Sequence, residues 1–287
     1  MDAEAIRRET ERVRADWAGR GRHWDRRADE IADQAARMNA PLIEAAEVAA
    51  GQRVCDIATG AGEPALSVAR LVGAEGRVFA TDLCPEMMLG ARRRAAAQGL
   101  RNLTFRTADM LALPDTDAAF DRVICRFGLM FCPAPAQAAA EALRVLKPGG
   151  RVAYLVWGPR AETTMFVVFA AAAEAVLGPL DKAGAIDLAR PFSLGASGAL
   201  TRALTAGGFS QVEEREVRFA PRVPAEAPFW QAQFDMTFGR ALDGAGEARR
   251  RPLMEAVAAG FERLREGDEI PLSAHVRIGT GTKPKSA

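Results

Sequence analysis

The sequence predicts an α/β protein built on a doubly wound, mostly parallel sheet. Three observations predict it. Val54-Cys55-Asp56-Ile57-Ala58 reads as a short buried strand. It breaks into the glycine turn Thr59-Gly60-Ala61-Gly62 and restarts as a helix at Pro64, with Leu66, Val68, Ala69 and Val72 at helical spacing. Apolar strand-like runs then recur near 78–81, 103–106, 120–125 and 151–157, with helices read over about 85–98 and 134–146 among them. Finally, Asp82 stands about twenty residues past the glycine turn, where such sheets place a ribose-binding acid.

The elements follow in order. In residues 2–38, Ile6, Val13, Trp17, Trp24, Ile31 and Met38 recur near helical spacing, so one or two charged amphipathic helices are expected, broken at Gly19-Arg20-Gly21. Asn39-Ala40-Pro41 starts a further helix through Ala49, and Gly51-Gln52 turns into the first strand, 53–58. The helix after the glycine turn ends near Gly73. The second strand, Val78 to Thr81, ends at Asp82; Pro85-Glu86-Met87-Met88 opens a helix to about Gln98, on which Arg92-Arg93-Arg94 reads as a solvated face. Leu103 to Arg106 is a third strand, followed by Ala108-Asp109-Met110. Phe120 to Cys125 is the fourth, running into Arg126-Phe127-Gly128-Leu129-Met130-Phe131. A helix over 134–146 stops at Lys147-Pro148-Gly149-Gly150, before the fifth strand, 151–157.

After Trp157 the alternation loosens. Residues 162–177 form a helix apolar nearly all round; 179–192 is a loop and 198–206 a helix. A sixth strand over 212–219 and a closing strand over 273–280 pair antiparallel, with helices over 225–239 and 245–266 between them; a long insertion over a sheet edge is usually functional. The tail from Lys283 is expected to fray.

The 287 residues are 49% apolar and 26% charged, with net charge +1. That size suits one large α/β domain plus an appendage, and the neutral balance gives no case for nucleic acid or anionic membrane. No apolar run reaches the length of a membrane span, and Met1-Asp2-Ala3-Glu4 is unlike a signal peptide. Cys55, Cys84, Cys125 and Cys132 have no zinc spacing and the only histidines are His23 and His275, so buried reduced thiols in a cytoplasmic protein are expected and no metal site.

Two ligand classes compete for the turn. Gly60-x-Gly62-x-x-Ala65 fits the dinucleotide pattern. Asp56, four residues before Gly60, argues the other way: a carboxylate repels a pyrophosphate but favours the sulfonium and ammonium of S-adenosylmethionine. Asp56 can also simply tether the turn, as Asp82 can simply cap the helix that follows it.

Asp-x-x-x-Gly-x-Gly after a strand resembles motif I of the class I S-adenosylmethionine-dependent methyltransferases, and Leu146-Lys147-Pro148-Gly149-Gly150 before a strand is similar to the same family. The resemblance covers about residues 40–160 and is nearest the broad group that includes the ubiquinone/menaquinone C-methyltransferases. One departure is Ala58, which stands where the family usually has its first glycine. The resemblance implies a Rossmann-like seven-stranded sheet with helices on both faces, an N-terminal helical lid over 1–50, a cofactor-binding core over 51–160, and a completed sheet with helical substrate-cap insertions over 161–287. It implies S-adenosylmethionine held by Asp56, Ala58, Thr59, Gly60, Gly62, Asp82, Leu83, Met87, Ala108, Asp109, Met110 and Arg126, with Asp109 accepting from the adenine amino group.

The implied reaction is in-line methyl transfer to a small, bulky, partly hydrophobic metabolite, with no nucleic-acid or membrane partner and room for a homodimer. Trp24 in the lid, with Phe127, Met130, Trp157, Phe192, Trp230 and Phe234, is expected to line the acceptor pocket. His23 is the candidate acid/base, and Glu63 a candidate for the methionine ammonium or a helix N-terminus. Two other readings stay open: a nicotinamide-dependent oxidoreductase using Gly60, Gly62, Ala65 and Asp82, and a protein of this fold that binds the cofactor without transferring methyl.

Overall fold

Asp2 begins the chain's first helix by accepting a hydrogen bond from the Ala5 amide at 2.8 Å. In the computed structural model, which describes residues 1–178, 187–243 and 247–285, that helix, α1, runs Ala3–Arg26, and α2 follows directly as Ala28–Ala45. Two expectations are corrected here. The break falls at Arg27, not at Gly19-Arg20-Gly21, because Gly21 serves contact instead: a Cβ there would lie 2.6 Å from the Glu86 Cβ and 3.0 Å from its backbone. Nor does a helix start at Asn39. Pro41 sits inside α2, where the packing of buried Asn39 and Leu42 outweighs the one amide bond that proline removes.

The strands are β1 (Arg53–Ile57), β2 (Arg77–Asp82), β3 (Leu103–Thr107), β4 (Phe120–Arg126) and β5 (Leu146–Trp157), linked by α3 (Ala65–Val72), α4 (Leu89–Ala97) and α5 (Pro135–Val145). Downstream come α6 (Thr164–Leu177), α7 (Ala199–Ala206), β6 (Ser210–Phe219), β7 (Arg222–Pro224), α8 (Gln231–Leu242), α9 (Glu247–Glu262), β8 (Glu269–Pro271) and β9 (Ala274–Thr282). The main sheet has the order β3-β2-β1-β4-β5-β9-β6, and β1 pairs in parallel with both β2 and β4. The chain therefore reverses its direction of growth between β1 and β4, and the carboxyl ends of those strands open a crevice. Backbone bonds from Gly149 to Lys283 and from Gly158 to His275 set β9 against β5 in opposite directions. The closing strand is inserted between the fifth and sixth, and β1 is buried after Arg53, as a central parallel strand should be, with Asp56 its one buried charged side chain.

The chain groups into two compact units. The first holds Met1–Val156, Ser197–Arg215 and Arg277–Ala287, so the N-terminal helices cluster with the sheet; the second holds Trp157–Ala196 and Glu216–Val276. The second has its own core, in which Phe169, Phe234, Phe238 and Phe261 are buried and Trp230 stacks on Phe261 with ring centroids 6.4 Å apart. It also contains a small antiparallel pair, β7 with β8, that the sequence did not suggest. Most of the loop expected over 179–192 lies outside the described residues.

Two charged residues depart from expectation. Lys283 is not frayed: its Nζ donates to the carbonyls of Arg144 at 3.1 Å and Leu146 at 2.7 Å, and its backbone pairs with Gly149 and Gly150. Arg94, expected on a solvated face, is buried. No helix among the described residues is long and apolar enough to cross a membrane.

Gly21→Ala tests the docking of α1. An open helical glycine gains roughly 0.5–1 kcal/mol on becoming alanine. Here the added methyl meets Glu86, and a loss of about 1–3 kcal/mol in denaturant unfolding is expected. A gain would show that α1 does not rest on the 85–88 turn.

Candidate active site

The site is built from the turn that follows β1. Ala58 takes φ 57°, Gly60 51° and Gly62 98°, so three of five consecutive residues are left-handed. Alanine tolerates this at about 1–2 kcal/mol, and its methyl is accommodated from outside the turn: a Cβ on Gly128 would lie 2.4 Å from the Ala58 Cβ. The departure at Ala58 is thus matched by a glycine seventy residues on. Gly62 has a packing role, since a Cβ there would meet Leu66 at 2.4 Å and Ala91 at 2.9 Å.

Three amides of the turn are spent inside the protein. Thr59 N donates to Thr81 O at 2.9 Å, Gly60 N to Asp82 Oδ2 at 2.9 Å, and Gly62 N to Thr59 O at 2.9 Å. Asp82 Oδ1 also accepts from Cys84 N at 3.0 Å. That is a bond across the turn rather than a helix cap, since Cys84 precedes the 85–88 turn and no side chain caps it, and the same carboxylate ties β2 to the glycine turn.

Beneath the turn lies a closed polar knot. Glu63 accepts from Arg94 at 2.8 Å through one oxygen, and from Asn39 and Ser67 at 2.8 Å each through the other. Arg94 also donates to the Ala61 carbonyl at 2.9 Å. Both members of the ion pair are about 95% buried, at 4% and 6% exposure. The Glu63 carboxylate is thereby committed to the fold, which removes it as a free partner for an ammonium group.

Asp56 is fully buried, and both its carboxylate oxygens lack a hydrogen-bond partner, as does the neighbouring Thr59 hydroxyl. Burial pushes the Asp56 carboxyl up to about 7, against the pull of the Arg126 guanidinium. Burial likewise pushes Asp82 up to about 6, opposed by the amides of Cys84 and Gly60.

A cavity of about 920 Å³, open solvent at its mouth included, lies over the turn. Ala58, Thr59, Gly60, Asp82, Leu83 and Met87 line it, with Ala108, Asp109, Met110 and Arg126 opposite. Asp109 uses Oδ1 to accept from Leu111 N at 2.9 Å. Arg126 Nε donates to the Glu63 carbonyl at 3.2 Å, which orients the guanidinium. Of the expected cofactor residues, Asp56 and Gly62 are not among those lining the cavity: Asp56 is fully buried on β1, and Gly62 packs against Leu66 and Ala91.

Trp24 and Phe127 line the cavity. The structure places the other residues expected at the acceptor pocket elsewhere. Met130 is buried away from it; Trp157 and Phe192 pack on Phe166 at 5.3 and 5.1 Å in the second unit, and Trp230 and Phe234 belong to that unit's core. His23 is buried and does not line the cavity; its Nε2 lies 3.4 Å from the Arg22 Nε, in the sense of accepting from it.

Sequence reasoning missed Thr10, Val13, Trp17, Phe131, Cys132 and Pro133. The first three did carry a signal: Thr10, Val13, Trp17 and Trp24 fall on one face of α1, at intervals of three, four and seven. Trp17 meets Trp24 edge-on at 5.7 Å and Phe131 at 4.9 Å. The cysteines form no disulfide, and burial pushes the Cys84 and Cys125 thiols up to about 12 and Cys55 higher still, so these three are inert. No cluster suited to a metal ion occurs among the described residues.

Arg94→Met tests the knot. It strands the buried Glu63 charge, and a loss of about 3–5 kcal/mol of unfolding free energy is expected. A loss near the roughly 0–1 kcal/mol of a surface pair would place the pair outside the folding core.

Comparison with known proteins agrees with this geometry. Residues 54–150 match the family described as methyltransferase domain. An uncharacterized protein of Mycobacterium tuberculosis is 42% identical over 116 residues, 40% of this chain and 41% of that protein. The demethylmenaquinone methyltransferase of Thermus thermophilus is 41% identical over 124 residues, 43% of this chain and 55% of that protein. The chain thus spans about half the length, or less, of the curated relatives it matches. A solved structure from Bacillus halodurans shares the fold with TM-score 0.55 and 22% identity, over 86% of this chain and 98% of that one. Residues 54–150 thus match the methyltransferase-domain family, and the sheet they help build has the fold of the Bacillus halodurans structure.

Proposed function

We propose that the protein is an S-adenosylmethionine-dependent methyltransferase acting on a small, partly hydrophobic metabolite. One observation carries the choice of cofactor: the amides of Thr59, Gly60 and Gly62 are already bonded within the protein, and the one at Gly60 is held by a carboxylate. A dinucleotide site needs such amides for its pyrophosphate. Here they are withheld, and acids stand in their place.

The residues fit the sulfonium cofactor. Asp82 keeps lone pairs for ribose hydroxyls beyond the two amides it accepts. Asp109 has one oxygen engaged by Leu111 and a second to accept from an adenine amino group. Arg126, held by the Glu63 carbonyl, offers a cation to the amino-acid carboxylate. Asp56 and Asp82 supply a negative field toward the cationic end. Support for the activity comes also from the methyltransferase-domain match and the demethylmenaquinone methyltransferase relative.

When bound, the cofactor supplies an electrophilic methyl on sulfur. The protein's task is then alignment and dryness: α1 closes an apolar wall over the turn, and fixed orientation can supply roughly 7–11 kcal/mol of the barrier. A side-chain base is not prominent. Among the described lining residues none is a histidine, and the carboxylates of Glu63 and Asp82 are engaged. The acceptor's own nucleophilicity does most of the chemistry.

Calorimetry decides the cofactor: S-adenosylmethionine binds and NAD does not. Asp82→Asn weakens binding tenfold or more, about 1.4 kcal/mol or above; unchanged affinity would remove Asp82 from the site. Formation of S-adenosylhomocysteine with an acceptor separates methyl transfer from binding alone.

The acids also set a pH response of opposite sign in the free and bound protein. Both carboxyls are raised from the ordinary 3.8, Asp82 to about 6 and Asp56 to about 7. Their stabilising effect on the empty fold is full below the ordinary value and is lost as pH rises through 6 to 7. Affinity for the cation rises over the same range as the acids ionise. Thermal unfolding and calorimetry between pH 5 and 8 should show the two trends diverging, and parallel trends would contradict the assignment.

A further inference from the structure

Phe127 holds a backbone conformation that suits glycine. It takes φ 60°, and among the described residues it is the one aromatic with left-handed backbone. A bulky side chain there crowds its own backbone, so the position is an outlier. The glycine that would fit stands one residue late: Gly128 has φ −97°, inside the range any residue adopts. Gly128 serves contact instead, since a Cβ there would lie 2.4 Å from the Ala58 Cβ. Strain of this kind persists where the side chain it carries has a use.

The surroundings say where that use lies. Phe127 is half-buried and lines the cavity, outside the buried core. Its amide donates to the Leu155 carbonyl at 2.8 Å, a bond that needs no particular side chain. The Arg126 guanidinium lies 5.6 Å from the centre of the Phe127 ring, so the ring stands beside the cavity's cation. Sheet order gives its place along a ligand. Asp109 follows β3, Asp82 ends β2, the glycine turn follows β1 and Phe127 follows β4, and these four strands are neighbours in that order. At roughly 4.8 Å per strand, Phe127 stands about 14 Å across the crevice from the end assigned to adenine. It is at the sulfur end, next to the arginine assigned to the amino-acid carboxylate.

We infer that Phe127 is a specificity-determining residue that walls the space in front of the sulfur, admitting a one-carbon group and excluding larger ones. The ring limits how far a bound S-alkyl group can extend. It also keeps water out of the gap between methyl and acceptor, which aligned transfer needs dry. The strained backbone brings this large side chain to the end of β4. The inference rests on the methyltransferase reading for the identity of the cofactor.

Calorimetry with S-adenosylmethionine and its S-ethyl and S-propyl homologues makes the test, on the parent, Phe127→Ala and Phe127→Gly. The parent is expected to favour the methyl form over the propyl form by about tenfold or more, the worth of a misfitting methylene. Both variants should cut that ratio to about threefold or less, because the volume of the ring is gone. A merely structural role lowers all three affinities together and leaves the ratio as it was; that result overturns the inference, and so does a parent that binds all three alike. The two variants separate ring from backbone: Phe127→Gly relieves the left-handed strain and Phe127→Ala keeps it, so the glycine variant should unfold at the higher denaturant concentration. Equal midpoints overturn the strain on which the inference stands. Should one variant not fold, the other supplies the ratio; if neither folds, the ring belongs to the core and the inference falls. A parent that binds neither these three nor S-adenosylhomocysteine overturns the cofactor reading, and the inference with it, whereas a flat ratio leaves that reading intact.

Discussion

One buried carboxylate organises the part of the chain that bears the cavity. Glu63 draws Asn39 from α2, Ser67 from α3 and Arg94 from α4 onto two oxygens, and Arg94 carries the bond on to the Ala61 carbonyl of the turn. Each partner comes from a different element; Asn39 and Arg94 are buried and Ser67 half-buried. A charge so placed is tolerated only when its lone pairs are filled by good donors. The geometry of the turn, the seating of the N-terminal helices and the packing of α4 are consequently one problem with one solution. Moving any of the three helices would unsatisfy a group that water does not reach.

The cavity inherits its character from that arrangement. With the turn fixed, its amides face their own carbonyls and Asp82, so the crevice offers carboxylates where related nucleotide sites offer N–H groups. The strain of a left-handed alanine and the burial of Asp56 are borne at the same place. Local cost concentrated beside a binding crevice is a common mark of preorganisation.

Much of this was readable before any coordinates. The period of apolar residues around 54–72 gives strand, turn and helix directly, and Asp82, Asp109 and Arg126 fall at strand ends where the topology must bring them together. What stayed hidden depends on tertiary burial. Arg94 looks like its neighbours Arg92 and Arg93, yet only its position on α4 faces the turn. Gly19-Arg20-Gly21 carries the composition of a break, but Gly21 is needed for a close approach that no local pattern reveals. Trp157, Phe192 and Trp230 are aromatic for the sake of the second unit's own packing. By contrast, the α1 wall is legible as a helical stripe, although Thr10 and Val13 are unremarkable singly.

The contact between Ala58 and Gly128 has an evolutionary reading. The methyl at 58 fits only because position 128 has no side chain, and the gap at 128 is closed from its other side by the Cys125 sulfur. The two sites are therefore free to drift in one sequence only: 58 must first shed its methyl before 128 can acquire one. Lineages descending from this chain carry a ratchet, in which an ordinary-looking alanine restricts the history available to a distant loop.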